Sequence, residues 1–208
     1  MVTIAAMTNC IPLCATLIAK GVPVNQCSTS GRYGSALAAA ASWGRLDTVK
    51  YLVQEAKADV NLSLHSGNYG SALNAAVVGG SLDVVRNFAE EVPEVNLLIH
   101  VRTHGDVLAS ASCCGRLDIM RYLVEEANMD VHLPLGEDSF VTVLAAAAWG
   151  TIDVVKYLVE EAKAVVNVLS AAGNALVAAV FSKNLDMVRY FAEEAKADVD
   201  LLRDDESF

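Results

Sequence analysis

No run of apolar residues reaches the roughly 18 to 20 needed to span a bilayer, although 54% of the 208 residues are hydrophobic. Residues 1–20 also lack the basic start of a secretory signal. The chain therefore reads as soluble and intracellular, in the cytoplasm or the nucleus, with no membrane partner. Positive charge is short as well: 15 Lys and Arg stand against 25 Asp and Glu, a formal net charge of -10. Contact with phosphates requires a concentrated basic surface, so nucleic acid is excluded and a basic or hydrophobic partner fits better. Cysteines number five, an odd count placed at Cys10, Cys14, Cys27 and the neighbours Cys113 and Cys114, which is no disulfide framework. They read as small buried or half-buried thiols. The four histidines, His65, His100, His104 and His132, are scattered without metal-ligand spacing, so neither metal nor other cofactor is expected. Aromatics make up only 6%, and much of the apolar content is alanine, which lets helices approach closely without adding flexible side chains.

What the chain does have is a period. A leucine or isoleucine followed by aspartate recurs at Leu46-Asp47, Leu82-Asp83, Leu117-Asp118, Ile152-Asp153 and Leu185-Asp186, with aspartate spacings of 36, 35, 35 and 33 residues. A period near 34 indicates stacked units, each too small to bury its own apolar face and stable only under its neighbours. The fold class is accordingly all-α, an α-solenoid of helix-turn-helix repeats with one shared core.

Local chemistry divides the unit. Gly31, Gly34 and Ser35 supply a turn, and Ser35 can cap a first helix over 36–43. Gly44 ends that helix. Asp47 and its counterparts sit in the first turn of a second helix, where the helix dipole favours negative charge. Leu46, Val49, Leu52 and Val53 recur at spacings of three and four, and so do Leu117, Met120, Leu123 and Val124, which predicts a core-facing stripe. The opposite face carries Lys50, Arg86, Arg121, Lys156 and Arg189. Gln54, Glu90, Glu125, Glu160 and Glu193 follow four residues later. The column reads as a solvated back with weak pairs. If the residue closing this helix is left-handed, the lysine found there costs on the order of 1 kcal/mol against glycine.

On these residues the chain resembles the ankyrin repeat family, over most of its length. Ala58-Asp59-Val60-Asn61 fits the family's closing signature, and Gly21-Val22-Pro23-Val24-Asn25 resembles the close of an eroded earlier unit. The first-helix signature departs: Ser35-Ala36-Leu37-Ala38 and Ser71-Ala72-Leu73-Asn74 lack the family's proline and histidine. The Tyr-Gly-Ser-Ala-Leu opening is similar to ankyrin arrays of filamentous fungi. One domain, 1–208, is expected, with units at 1–30 (partial), 31–66, 67–101, 102–136, 137–169 and 170–202 and an acidic tail at 203–208. The second unit is the least regular, with Val92-Pro93-Glu94 ending its helix and a more apolar connection over 97–103. The fourth has Ser139-Phe140-Val141 in place of the turn glycine.

The resemblance implies a module that binds a protein or peptide at turn tips and exposed sides of first helices, along a concave groove. The residues before the inter-helix break are then the candidates: Trp43, Val78, Cys113, Cys114, Trp149 and Phe181. Trp43 and Trp149 are the natural anchors, since tryptophan favours interface hot spots; the alternative is that both rings tuck against a neighbouring unit. Turn candidates are Arg32, His65, Asn68, Arg102, His104, Glu137 and Phe140. No phosphate-cradling glycine loop, nucleophile elbow or metal-binding histidine pair is present, so no enzymatic activity is expected. The last unit is apolar throughout at 175–181, which points to continuation into further repeats or to self-association through the array ends, the alternative being that the acidic tail 203–208 folds back as a short cap. The alternative function is therefore a structural or assembly element. A third, weaker possibility is a small-ligand pocket near 97–104.

Overall fold

The computed structural model describes residues 1–27, 31–92, 107–132, 142–168 and 174–200, and among these every regular element is a helix. The chain divides into two compact units, Met1–Val107 and Leu108–Phe208. In the first, three helix pairs follow one another: α1 (Val2–Met7) with α2 (Ile11–Ala19), α3 (Ala36–Ser42) with α4 (Leu46–Lys50, continued by Tyr51–Glu55), and α5 (Ala72–Gly79) with α6 (Leu82–Glu91). Helix α3 packs between α1 and α5, while α4 packs on α6. In the second unit, α7 (Val107–Cys113) and α8 (Leu117–Arg121, continued by Tyr122–Glu126) precede α9 (Val143–Ala147) and α10 (Ile152–Lys156, continued by Tyr157–Glu161). The last pair is α11 (Ala175–Phe181) and α12 (Leu185–Arg189, continued by Tyr190–Glu194). Here α9 packs on α11, and α10 packs on both α8 and α12.

Four first helices, α3, α5, α9 and α11, start on a side-chain cap. The Ser35 hydroxyl accepts from the Ala38 N–H, Ser71 from Asn74, Thr142 from Ala145, and the Asn174 side chain from Val177. These caps satisfy N–H groups that no earlier turn can reach. Three first helices end at a left-handed glycine, Gly44, Gly80 or Gly115, and the next N–H returns to a carbonyl five residues back, as Arg45 does to Ala40 at 2.9 Å. Lys183 takes that place after α11. The fourth repeat is the exception. Eleven residues separate Thr142 from Asp153, against twelve from Ser35 to Asp47, and α9 ends without a left-handed residue.

Four second helices, α4, α8, α10 and α12, finish on a turn one residue wider than the α geometry. The Ala56 N–H bonds to Tyr51, Ala127 to Tyr122, Ala162 to Tyr157 and Ala195 to Tyr190, each five residues back. Lys57, Asn128, Lys163 and Lys196 then adopt left-handed φ of 58°, 54°, 58° and 53°, the conformation that the closing lysines raise as a question in the sequence. The following N–H reaches six residues back, Ala58 to Leu52 at 2.8 Å. On the return legs, Asn25 Oδ1 accepts the Asp59 N–H and Asn167 Oδ1 the Asp198 N–H, both at 2.9 Å. The closing asparagine of one repeat thus holds the leg of the next, which gives the eroded first unit a structural role.

The core is thin and rich in alanine. Ala38, Ala39, Ala40, Ala41, Ala75, Ala76, Ala147 and Ala148 are completely buried, so first helices touch with little side chain between them. Val49 and Leu52 are buried as expected, as are Met120 and Leu123, but Leu46, Val53, Leu117 and Val124 are half-buried. The stripe is therefore narrower than its spacing suggests. Thr48 fills part of the difference, completely buried with its hydroxyl 2.7 Å from Asn9 Oδ1. The backs of the second helices carry the expected pairs Arg86–Glu90 and Arg121–Glu125, at 3.5 and 3.1 Å. They also carry pairs between repeats: Lys50–Glu91 at 3.3 Å and Arg121–Glu161 at 2.6 Å. The Arg121 guanidinium also lies 4.6 Å from the centre of the Tyr157 ring, and the Tyr190 hydroxyl donates to Glu160 at 2.9 Å.

Candidate functional site

Two consecutive turns of the first unit are joined by backbone. The Asn68 N–H donates to the Arg32 carbonyl at 3.0 Å and the Leu64 N–H to Gly70 at 2.8 Å. Glycine is required for this approach, because a β-carbon on Gly67 would stand 2.8 Å from the Arg32 carbonyl oxygen, and φ there is +88°. The joined turns bring Tyr33 and Tyr69 into a stack with ring centres 6.0 Å apart and planes 24° from parallel. Tyr69 is buried and Tyr33 half-buried.

Trp43, the C-cap of α3, is bonded to this stack. Its indole Nε1–H donates to the Tyr33 hydroxyl at 2.7 Å, while half of its surface (50%) stays exposed. The polar edge of the ring is satisfied within the protein and the apolar face is left open, the condition under which tryptophan offers a large contact at low ordering cost. Ser42 Oγ lies 3.4 Å from the Tyr69 hydroxyl. Asn74 fixes the turn from below, its Nδ2 donating to the Tyr69 carbonyl at 2.9 Å.

Arg32, His65 and Asn68 are exposed, and Val78 is half-buried. Asn68 is joined to Arg32 through the backbone, and Trp43 is bonded to Tyr33, the next residue along the chain. Tyr33 and Tyr69 belong with them and were not among the candidates, although the repeated Tyr-Gly-Ser opening at 33–35 and 69–71 carries the signal. The structure also shows why the tryptophan is not repeated. A β-carbon at Gly79, the counterpart of Trp43, would run into the Ser42 carbonyl.

In the second unit Trp149 is 59% exposed and Phe181 69%. Counted from the helix cap, Trp149 stands at the position of Ser42 rather than that of Trp43, because the fourth break is one residue short. Neither tryptophan is buried against a neighbour. Cys113 and Cys114 are half-buried, with sulfurs 3.8 Å apart. Arg102, His104, Glu137 and Phe140 lie outside the described residues, as does the stretch 97–104 proposed for a small ligand. Among the described residues, no three His, Cys, Asp or Glu side chains group to hold a metal ion, and no helix is long and apolar enough to cross a membrane.

Comparison with known proteins agrees with this geometry. The family described as ankyrin repeats in three copies matches 108–203, and that of ankyrin repeats in many copies matches 37–87. Together they span well over half of the sequence, and the chain belongs to the ankyrin repeat family, whose members generally serve as protein–protein interaction modules. No curated protein sequence matches it. Among solved structures, one chain of the complex between the predatory endopeptidase Bd0816 of Bdellovibrio bacteriovorus and the immunity protein Bd3460 is similar. Its TM-score is 0.69 over 93% of this chain and 97% of its own, at 22% identity. At that identity the likeness concerns the fold.

Proposed function

We propose that this chain is a non-enzymatic recognition module that holds a protein or peptide partner along a groove lined by its first helices and turn tips. The observation that carries this reading is Trp43, half exposed yet held through its ring nitrogen by Tyr33 on the Tyr33–Tyr69 stack. Such a ring is ordered before a partner arrives, so little rotamer freedom is lost on binding. Trp149 and Phe181 supply exposed apolar surface in the second unit. The net charge of -10 favours a partner segment that is basic at its rim and apolar where it meets the rings. The test is capture from native extract by the wild type against a Trp43→Ala/Trp149→Ala variant, with helical content followed by circular dichroism. Loss of one captured partner with helicity intact supports the reading; unchanged capture moves the site elsewhere.

A second reading, an assembly element acting through the array end, is favoured by the last helix pair. Val180, Phe181 and Leu185 are 57%, 69% and 72% exposed, whereas Ala41, Val77, Ser112 and Ala148, the counterparts of Val180, are completely buried. Concentration-dependent association that is lost in Phe181→Ser but survives the tryptophan substitutions distinguishes this reading. We further propose that the repeats form a single domain over 1–208. One cooperative unfolding transition supports that, and two separable transitions overturn it.

A further inference from the structure

The neighbouring thiols at the end of α7 stand among the candidate contacts, but recognition through Trp43 makes no use of their sulfur chemistry. Cys113 is the last residue of that helix and Cys114 the next, just before the chain turns at Gly115 with φ 64°. Their sulfurs lie 3.8 Å apart, with Cys113 Sγ also 3.5 Å from the Ser110 carbonyl. Both residues are half-buried and so reachable from solvent, unlike Cys14, which is buried.

We propose that Cys113 and Cys114 form a reactive dithiol that exchanges with a small-molecule disulfide of the glutathione class and closes to a Cys113–Cys114 disulfide. In the first step the Cys114 thiolate attacks one sulfur of the disulfide. A mixed disulfide forms on Cys114, and one glutathione thiolate leaves and takes a proton from solvent. In the second, Cys113 gives its proton to solvent and attacks the Cys114 sulfur, expelling the other glutathione. The two protein thiols lose two electrons, and one glutathione disulfide becomes two thiols.

The surroundings favour this order of events. The contact with the Cys113 sulfur and, more weakly, the charge of Arg116 pull the Cys114 thiol down to about 7 against the opposing effect of burial. The same contact, with burial, pushes Cys113 up, and its thiol hydrogen is directed at the Ser110 carbonyl. Cys114 is thereby the nucleophile and Cys113 the resolving thiol. Closure must bring the sulfurs to about 2.05 Å, and Cα atoms joined by a trans peptide are only about 3.8 Å apart, below the usual span of a disulfide. The bond is therefore strained and easily reduced, a switch rather than a structural bridge.

The tryptic peptide 103–116 holds these two cysteines and no other, so the intact protein can be treated with glutathione disulfide, alkylated, digested and weighed. The expected product is peptide 103–116 short of two hydrogens, unalkylated and restored by dithiothreitol. Cys113→Ser should stop at a glutathione adduct on Cys114, and Cys114→Ser should react severalfold more slowly than the wild type. Serine already stands at the position of Cys113 in the first repeat, as Ser42, and circular dichroism checks that both variants fold. A glutathione adduct that persists on the wild type would overturn the proposal. So would equal rates for wild type and Cys114→Ser, or a peptide 103–116 that reacts more slowly than the one carrying Cys27.

Discussion

The indole nitrogen of Trp43 donates to the Tyr33 hydroxyl at 2.7 Å, and that bond joins the end of one helix to the turn before it. It aims the only large exposed ring of the first unit's described first helices. In a Trp149→Phe background, where Trp43 alone emits, Tyr33→Phe should lower the fluorescence anisotropy of the indole. The stability cost should stay within about 1 kcal/mol, since the bond is near solvent. Unchanged anisotropy would mean that packing alone holds the ring.

Gly79 and Gly150 are sites of close approach, and neither has a positive φ. A β-carbon on the first would meet the Ser42 carbonyl, and one on the second the Ser112 carbonyl. Backbone cannot yield as a side chain does. Gly79→Ala and Gly150→Ala should therefore each destabilise by about 1–3 kcal/mol, read as a fall in the urea midpoint. A midpoint equal to that of the wild type would show that the stack is looser than these contacts.

Lys57 and Lys163 both sit at φ 58°, where a β-carbon is strained and glycine is not. Lys57→Gly should stabilise the protein by up to about 1 kcal/mol. Lys163→Gly should help less, because the Lys163 ammonium donates to the Glu160 carbonyl at 2.6 Å and that bond is lost. Equal or inverted effects in denaturant titrations would contradict the assignment.

Tyr157 is buried beneath the ladder of charge on the second helices. Burial first, then the hydrogen bond and charge of Glu125, push its phenol from 10.0 up to about 12, against the pull of Arg121. The folded state favours the protonated ring, so this contribution to stability is complete below pH 10 and lost as pH rises through about 12. Tyr190 is raised in the same direction, chiefly by burial and by its bond to Glu160. Tyrosinate absorbance should show two residues that ionise late in the folded protein, and Tyr157→Phe should remove one of them and lessen the alkaline loss of stability.

The sequence by itself determined the repeat, the helix pairs and their ends. Capping by Ser35 and termination at Gly44 were legible there, and the closing lysines raised the question of a left-handed turn, because a cap or a turn is made by groups only a few residues apart. The aspartate in each second helix gave the period for the same reason. Only the tertiary structure decided that Tyr33 stacks on Tyr69 and accepts from Trp43, that Gly79 meets Ser42, that Arg121 reaches Glu161 in the following repeat, and that Leu46 and Val53 stay half-exposed. Apart from the bond between Tyr33 and Trp43, ten residues apart, these contacts join residues about one period apart, and their geometry depends on how one helix pair is offset on the next. A single missing residue shifts that offset, as the short break before Asp153 does to Trp149, and aligning the repeats by their aspartates hides the shift. Periodicity counts residues along the chain, whereas a binding face is set by the spacing between layers.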